Sequence, residues 1–546
     1  ILGGVFMFLT LPLIAPIILL FGMPEFFLLA ILGLTMVASL SGRSLAKGLG
    51  AAMIGLMLSM VGYAPVQAIP RYAFGIEYLY AGLPLLPFLL GIFGLPEIVE
   101  LANLRSSISQ VGAGRSVSRG IFEGVRDTLR NWWLVIRCSG LGIYVGLVPG
   151  IGGAVADWFA YSYAVQSCKD RSNFGKGDIR GVIAPEAATN SLRGGELIPT
   201  VAFGIPGSAG MAVLLSAMLI HGLRPGAAML TTQADITFSL VWTLIFANIM
   251  AALIMMVCSQ QIAKVAFLPS NLIIPAISVL LLMGAYMANY SIGDWVTLIA
   301  AGVLGYWLKQ AGWPRPPLVL AIVLGPIMEP ALRISMQVHG LAFLLRPMSL
   351  FIIAIILFVI IRNVLRYNRD KRAKTEDPSA GEGHEINPPL SIVLSVVGIP
   401  LFVSAALISQ QWPASAQQFP LVIAATSVII FGLLVLVDIR ELHTFIRTHG
   451  GVGAAIRMST NQATLLAALP MYGWFLAILA GAILVGQEFT LILFVIAFLG
   501  GRARYSWRVW VPYAAAIAVL IFVLYDQVLN VFWHPPLIPL RALLGL

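Results

Sequence analysis

The chain has 546 residues, 59% of them hydrophobic and only 10% charged, with a mean hydropathy of +0.93. Soluble domains carry about 25% charged residues, so this deficit excludes an ordinary water-soluble protein and makes lipid the main solvent. The formal charge of +10 does not point to a nucleic-acid partner, because the basic residues fall in short loops between apolar runs, the positive-inside pattern of an integral membrane protein.

In chain order, apolar runs able to cross or enter a hydrocarbon layer of roughly 30 Å cover 1–22, 26–41, 46–63, 79–103, 132–149, 154–167, 197–221, 236–258, 266–289, 293–311, 317–332 and 345–364. After a polar break come 390–409, 419–438, 461–484, 486–500 and 508–530. The expected fold is an all-α polytopic membrane protein with re-entrant or broken helices, ending in a bundle of about five transmembrane helices. The chain opens at Ile1 inside an apolar run with no basic leader before it. That reads as a fragment rather than a signal peptide.

Two polar breaks divide the chain. Arg105–Arg130 sets five arginines against Glu123 and Asp127, and "RDKRAKTEDPSAGEGHE" at Arg369–Glu385 is rich in charge, Pro and Gly, the composition of a solvated linker. The expected organisation is a transport domain at 1–367, a cytoplasmic linker at 368–388 and a small membrane domain at 389–546. Between the Arg105–Arg130 loop and the next basic loop, Lys169–Arg193, lies "GLVPGIGG" with Pro149, Gly150, Gly152 and Gly153. If both loops are cytoplasmic, 132–167 must enter and return on one side. Its arms of about 17 and 14 residues reach roughly 25 and 21 Å as helix, which is short for two crossings. A re-entrant hairpin with its Pro-Gly tip facing a cavity fits better, because irregular backbone at membrane depth must be buried in protein or line a wet space.

The second Pro-Gly motif, "FGIPGSAG", carries Gly204, Pro206, Gly207 and Ser208, and the polar cluster Glu186, Thr189, Asn190 and Ser191 precedes it. Proline removes a backbone donor and glycine loosens the turn, so a helix should break here. Broken helices present N–H groups at one end, suited to a carboxylate, and carbonyls at the other, suited to a bare cation such as Na⁺. Asn, Thr and Ser add neutral polar groups. Glu186 also fits a helix-end charge at the membrane surface, and Asp157 either faces the cavity or is simply solvated. Glu97, Asp294 and Glu329 sit near ends of apolar runs and read first as interfacial anchors, with packing or proton coupling as the alternatives. His221 reads as a loop or capping residue. The three cysteines, Cys138, Cys168 and Cys258, are too widely spaced for a disulfide framework or a metal site. Neither HExxH, a P-loop nor a serine elbow occurs, so no metal, cofactor or enzymatic activity is expected. Two other readings stay open: a membrane-embedded enzyme on lipid-linked substrates, for which His221 and Asp157 are the candidates, and a non-transporting scaffold.

At these residues the sequence resembles TctA, the large membrane subunit of the tripartite tricarboxylate transporters. The resemblance rests on "GLVPGIGGAVADWFAYSYAVQSCKD", "FGKGDIRGVIAPEAATNSLRGGELIPTVAFGIPGSAGMAVLLSAMLIHGLRPG", "LGLTMVASLSGRSLAKGLGAAMIGLMLSMVGY" and "GDWVTLIAAGVLGYWLKQAGWPRPPLVLAIVLGPIMEPAL", and covers about 1–365. The tail from about 388 resembles the small membrane subunit, TctB, through "PASAQQFPLVIAATSVIIFGLLVL" and "VLYDQVLNVFWHPPLIP". The resemblance implies ion-driven import of a tri- or dicarboxylate, coupled to Na⁺ or H⁺ and fed by a periplasmic TctC-like binding protein, in the bacterial inner membrane. It implies a site at Pro149, Gly150, Gly152, Glu186, Asn190, Pro206, Gly207 and Ser208, with Na⁺ near Asn190 and Ser208. It also implies a first repeat with its own Pro-Gly stretch, expected before residue 1. Where the family reads Glu-Ser-Ala-Asn-Asn, this chain has Glu186, Ala187, Ala188, Thr189 and Asn190, a hydroxyl in place of an amide.

Overall fold

A computed structural model describes the chain except residues 19–20, 41–43, 65–68, 105–116, 149–151, 169, 171–172, 266–267, 377–387, 449–462 and 539–546. The apolar runs fold as helices, since in lipid each backbone N–H must find its partner within its own segment. Helices α1 (Leu2–Ile18), α2 (Met23–Leu40) and α3 (Leu45–Ser59) come first. A two-strand ribbon, β1 (Gly62–Tyr63) with β2 (Pro70–Arg71), follows, paired antiparallel. Helix α4 (Leu85–Leu89) passes through a π turn into α5 (Leu95–Leu104).

The segment read as a polar loop holds a helix, α6 (Val117–Arg130). It exposes Phe122, Val125 and Leu129, and Trp132 and Trp133 follow directly. Aromatic and apolar side chains beside Arg126 and Arg130 form the amphipathic pattern of an interfacial helix. Next come α7 (Trp132–Leu147), α8 (Gly152–Ser167), α9 (Arg180–Phe203) and α10 (Ala209–Ile220). The expected basic loop Lys169–Arg193 is therefore shorter, because Arg180 already opens α9. The short α11 (Ala227–Leu230) leads into α12 (Ala234–Val265), and α13 (Ser270–Tyr286), α14 (Ile292–Gln310), α15 (Arg315–His339) and α16 (Pro347–Glu376) continue the bundle. Helix α16 runs on into the charged stretch as far as Glu376. Helices α17 (Pro388–Ser409) and α18 (Ala414–Thr448) form a hairpin, followed by helices Ala463–Val485, Gln487–Ile496 and Trp507–Val519. Among the described residues, seven helices are long and apolar enough to cross a membrane, in keeping with the expected all-α polytopic fold.

Among the described residues, three larger apolar cores and two small ones between α7, α8 and α9 organise this bundle. One joins α2, α3, α15 and α16 to Phe402, Phe419, Phe431 and Leu434 of the α17–α18 hairpin. A second joins α5, α13 and α14 to Phe475, Phe494, Phe498 and Tyr525. The third packs α1 against α9 to α12 through Met7, Leu11, Leu197, Val201, Met218 and Val241, with no residue beyond 245. The broken segment thus bridges two cores: α9 packs in the third, while Ala212 and Leu215 of α10 pack into the first.

Two charges read as interfacial anchors are buried partners instead. Glu329 takes a bidentate pair from Arg71, at 2.7 and 2.8 Å. Asp294 is fully buried and accepts from the backbone N–H of Asn289 and Ser291 and from the Tyr78 hydroxyl. An anchor needs a wet side; Asp294 has none and Glu329 very little. Glu97 does stay exposed, paired with Lys309 and Arg315.

Candidate functional site

Helix α9 is the axis of the site. Helices α1 and α7 lie against it closely enough for backbones to touch. A methyl group at Gly142 would come within 2.1 Å of the Ala188 carbonyl oxygen, and one at Gly146 within 2.5 Å of that of Leu192. The Gly142–Gly146 spacing is the small-xxx-small pattern that lets membrane helices approach closely. Helices α7 and α8, 16 residues each and so about 24 Å long, both pack on α9. They are the arms of the expected hairpin. Pro149 and Gly150, at its tip, lie outside the described residues, and Gly152 and Gly153 are the first two residues of α8.

The helix breaks where the second Pro-Gly motif predicts. α9 ends at Phe203, and Gly204 takes a left-handed conformation, φ +69°, that costs glycine nothing. The Gly204 and Ile205 N–H groups donate back to the Thr200 and Pro199 carbonyls, and Gly226 N–H donates to Val201. These three carbonyls near the end of α9 are therefore already satisfied by the protein's own chain, contrary to the expectation of a free carbonyl end there. Pro206 and Gly207 are buried. Ser208 is the N-cap of α10, its Oγ accepting from Met211 N–H at 3.4 Å.

The side chain that meets this break is one the motif reading passed over, Glu196. It is 1% exposed, and a methyl group at Gly207 would stand 3.1 Å from its Cγ. Ser208 Oγ donates to Glu196 Oε2 at 3.0 Å, and Arg193 Nη1 donates to the same oxygen at 3.0 Å. Glu196 Oε1 is buried without a hydrogen-bond partner among the described residues. The carboxylate sits beside the N-terminal end of α10, the place where a helix favours an anion. A signal was present in the sequence: Glu196 is an acid directly ahead of the "LIPTVAFGIP" run, and an ionisable residue at membrane depth is a site hypothesis by default.

The expected cluster divides around α9. Val182, Glu186, Asn190 and Arg193 lie on its exposed side, spaced as one helical stripe. Asn190 donates from Nδ2 to Asn248 Oδ1 of α12 at 2.8 Å. Thr189 donates to Asp157 of α8, so Asp157 is a partner within the bundle rather than a purely solvated charge. Ser191 faces inward, 3% exposed, and its hydroxyl donates to the Ala187 and Ser139 carbonyls, which ties α9 to α7. Glu186 is exposed and ten residues before Glu196, about 15 Å along the helix. The structure does not bring it to Pro206, Gly207 and Ser208. His221 and Arg224 are exposed beyond α10. Among the described residues no cluster of His, Cys, Asp and Glu has the makings of a metal site.

Comparison with known proteins gives a consistent likeness. Residues 1–320 match the family described as "Tripartite tricarboxylate transporter TctA family". An Agrobacterium vitis protein described as an uncharacterized 52.8 kDa protein in the TAR-I ttuC' 3' region is 31% identical over 367 residues, 66% of this chain and 72% of that protein. A second Agrobacterium vitis protein, described as lying in the TAR-II ttuC' 3' region, is 29% identical over 234 residues, 42% of this chain and 97% of its own. No solved structure matches.

Proposed function

The chain belongs to the tripartite tricarboxylate transporter TctA family, and from that premise we propose that it imports a tri- or dicarboxylate by ion-coupled secondary transport. It is a multi-pass transporter membrane component, and membership in a transporter family sets aside the membrane-enzyme reading. The finer reading has four parts: the coupling ion is Na⁺ or H⁺, a periplasmic TctC-like protein delivers the substrate, the membrane is the bacterial inner membrane, and residues 389–546 are a fused TctB-like small subunit behind a linker at 368–388. In this reading residues 1–367 form the transport domain and no cofactor takes part.

The observation that carries the reading is the interrupted α9–α10 segment. A polar stripe with Asn190 and Arg193, a buried carboxylate at Glu196 and a helix N-terminus at Ser208 meet in one otherwise apolar body. Interrupted helices with polar groups at the break are how transporters hold charged cargo at depth. Alternating access then moves the α7–α8 hairpin or α10 against the rest, with glycine-rich breaks absorbing the backbone change.

Uptake of radiolabelled citrate and succinate into proteoliposomes holding the full chain, with and without its binding protein and a Na⁺ gradient, tests the reading. Gradient-dependent accumulation is expected, falling at least about tenfold in Asn190→Ala and Pro206→Ala, a loss of about 1.4 kcal/mol in transition-state stabilisation. Uptake unchanged in both variants would remove the Asn190 and Pro206 assignments. Uptake indifferent to every ion gradient would remove the coupling.

A further inference from the structure

Arg193 and Glu196 are one turn apart on α9, and the pair they form is lopsided. The Arg193 side chain is 44% exposed while that of Glu196 is 1% exposed. Arg193 stands on the same stripe of α9 as Glu186 and Asn190, whereas Glu196 is turned into the break beneath Gly207. A single hydrogen bond, 3.0 Å from Nη1 to Oε2, joins them. Among the described residues it is the one hydrogen bond Arg193 makes. A guanidinium carries five donors in a rigid fork matched to a carboxylate, so most of this fork is uncommitted and half in the open.

We propose that the Arg193–Glu196 pair couples anion binding to cation binding: Arg193 is the subsite for a substrate carboxylate, and Glu196 takes one monovalent cation, H⁺ or Na⁺, when the substrate draws Arg193 away. The inference deepens the transport reading and rests on it. In the unloaded state Glu196 supplies the negative charge that both Arg193 and the N-terminal end of α10 favour. An incoming carboxylate competes for the same two partners, and a bidentate contact with Arg193 is the stronger geometry. Loss of Arg193 leaves Glu196 buried with Ser208 alone. A buried carboxylate without a counter-charge is too costly to persist. Protonation of Glu196 or a Na⁺ at its unpartnered Oε1 removes that cost. Charge balances: one substrate carboxylate replaces Glu196 at Arg193 and one cation neutralises Glu196; with Na⁺ no covalent bond changes, and with H⁺ one O–H bond forms on the carboxylate, the proton coming from the aqueous phase.

The surroundings isolate this exchange. Among the described residues, Arg193 lies within electrostatic reach of Glu196 and of Asp157 on α8. Helices α1, α10 and α11 carry no charged residue. On α7, Arg137 is occupied with the Tyr163 hydroxyl and the Trp133 ring. The charged residue of α12 near its start, Asp235, is more than eight residues before Asn248, where α12 meets α9. Asp157 is held by Thr189, which leaves Glu196 as the carboxylate in direct contact with Arg193.

The test is equilibrium binding of citrate and of succinate to the purified full chain. Na⁺ is varied against choline at fixed pH in one arm, and pH is varied without Na⁺ in the other. In the wild type one of the two cations should strengthen carboxylate binding by about tenfold or more, since coupling of this kind is commonly 5–150-fold. The arm that shows it identifies the cation. Glu196→Gln keeps the shape and the Ser208 contact; it should bind the carboxylate as the cation-loaded wild type does, with affinity the same at every Na⁺ concentration and pH. Arg193→Lys should bind more weakly yet keep the cation dependence, and Arg193→Gln should lose binding. Undiminished cation dependence in Glu196→Gln, or undiminished binding in Arg193→Gln, overturns the inference. It leaves the transport reading standing, because that is judged by gradient-driven uptake. Cation-independent binding in the wild type overturns it equally, and failure of both probes to bind removes Arg193 as their subsite.

Discussion

Glu329 and Arg71 lie 258 residues apart in sequence, and no local pattern connects them. Arg71 is 2% exposed and donates through both Nη atoms to Glu329, with a third, longer contact from Nη1 to the Ala416 carbonyl at 3.4 Å. Removing one partner of such a pair strands the other charge away from water, which typically costs about 3–5 kcal/mol. Glu329→Gln should therefore destabilise the detergent-solubilised chain by about 3 kcal/mol in an unfolding titration. The double change Arg71→Met with Glu329→Leu should recover most of that loss, because it removes both desolvated charges together. A double variant no more stable than Glu329→Gln would show that the pair does something other than satisfy itself. Pro206 presents the opposite case. Its effect on the helix is local, so the break at Gly204–Ser208 was legible from the residues alone. Glu196 was legible only as an acid at membrane depth; its place at the break was not, because its partner Ser208 is twelve residues away and only the turn-back of the chain at Gly204 joins them.

At the scale of an element, the start of α9 is fixed by Asp178 and Arg180. Asp178 accepts from the Arg180 backbone N–H at 2.9 Å and from its guanidinium at 2.6 Å. That guanidinium holds the Asp178 carboxyl below the usual carboxylate range. Arg180 also donates to the Asp170 carbonyl and stacks over the Phe174 ring, so the turn before α9 folds around this pair. A carboxyl depressed in the folded state contributes stability that is fully present above its unfolded value, about 3.9, and that is lost as pH falls through the folded value. Backbone hydrogen-exchange protection over 173–182, taken relative to the intrinsic rate at each pH, should accordingly be unchanged from pH 7 to about 5 and should fall below about pH 4, earlier than in the rest of α9. Asp178→Asn should remove that pH dependence. The sequence assigned this segment to a basic loop, since counting charges gives the sign of a stretch but not whether an acid caps the helix that follows it. Helix α6 was hidden for the same reason: its arginines marked a loop, while the Phe122–Val125–Leu129 face became visible only once the segment was placed as a helix.

Across the whole molecule, the C-terminal helices are built into the two largest cores and held by buried polar contacts. Lys47, 3% exposed, pairs with Glu441 at 2.7 Å and with Asp438 at 3.4 Å. Asp438 is fully buried and also accepts from the Ser391 and Ser395 hydroxyls, and Trp313 Nε1 donates to Ser391 at 2.9 Å. Farther along, Tyr472, Phe532 and Tyr513 bond to Gly302, Tyr286 and Leu272. If a protease site is placed within 377–387 and cut, the two pieces should therefore stay together through size-exclusion chromatography in mild detergent. Asp438→Ala leaves Lys47 buried without that counter-charge, and it should release the pieces or lower the melting temperature by several degrees. Pieces that separate freely in the otherwise unaltered chain would refute the joint cores. Helix α9 has no share in these polar contacts, so Asp438→Ala should affect assembly before it affects carboxylate binding.

Composition and hydropathy alone determined that the chain is an all-α membrane protein, and the two Pro-Gly motifs determined where its helices must fail, because both depend on lengths and backbone donors that each segment carries within itself. Tertiary structure decided which charges meet. It moved Glu186 away from the break, brought Glu196 and Arg193 to it, and buried Glu329 and Asp294. A charge in a low-dielectric interior must find its partner wherever the fold provides one, and sequence separation sets no limit on that search.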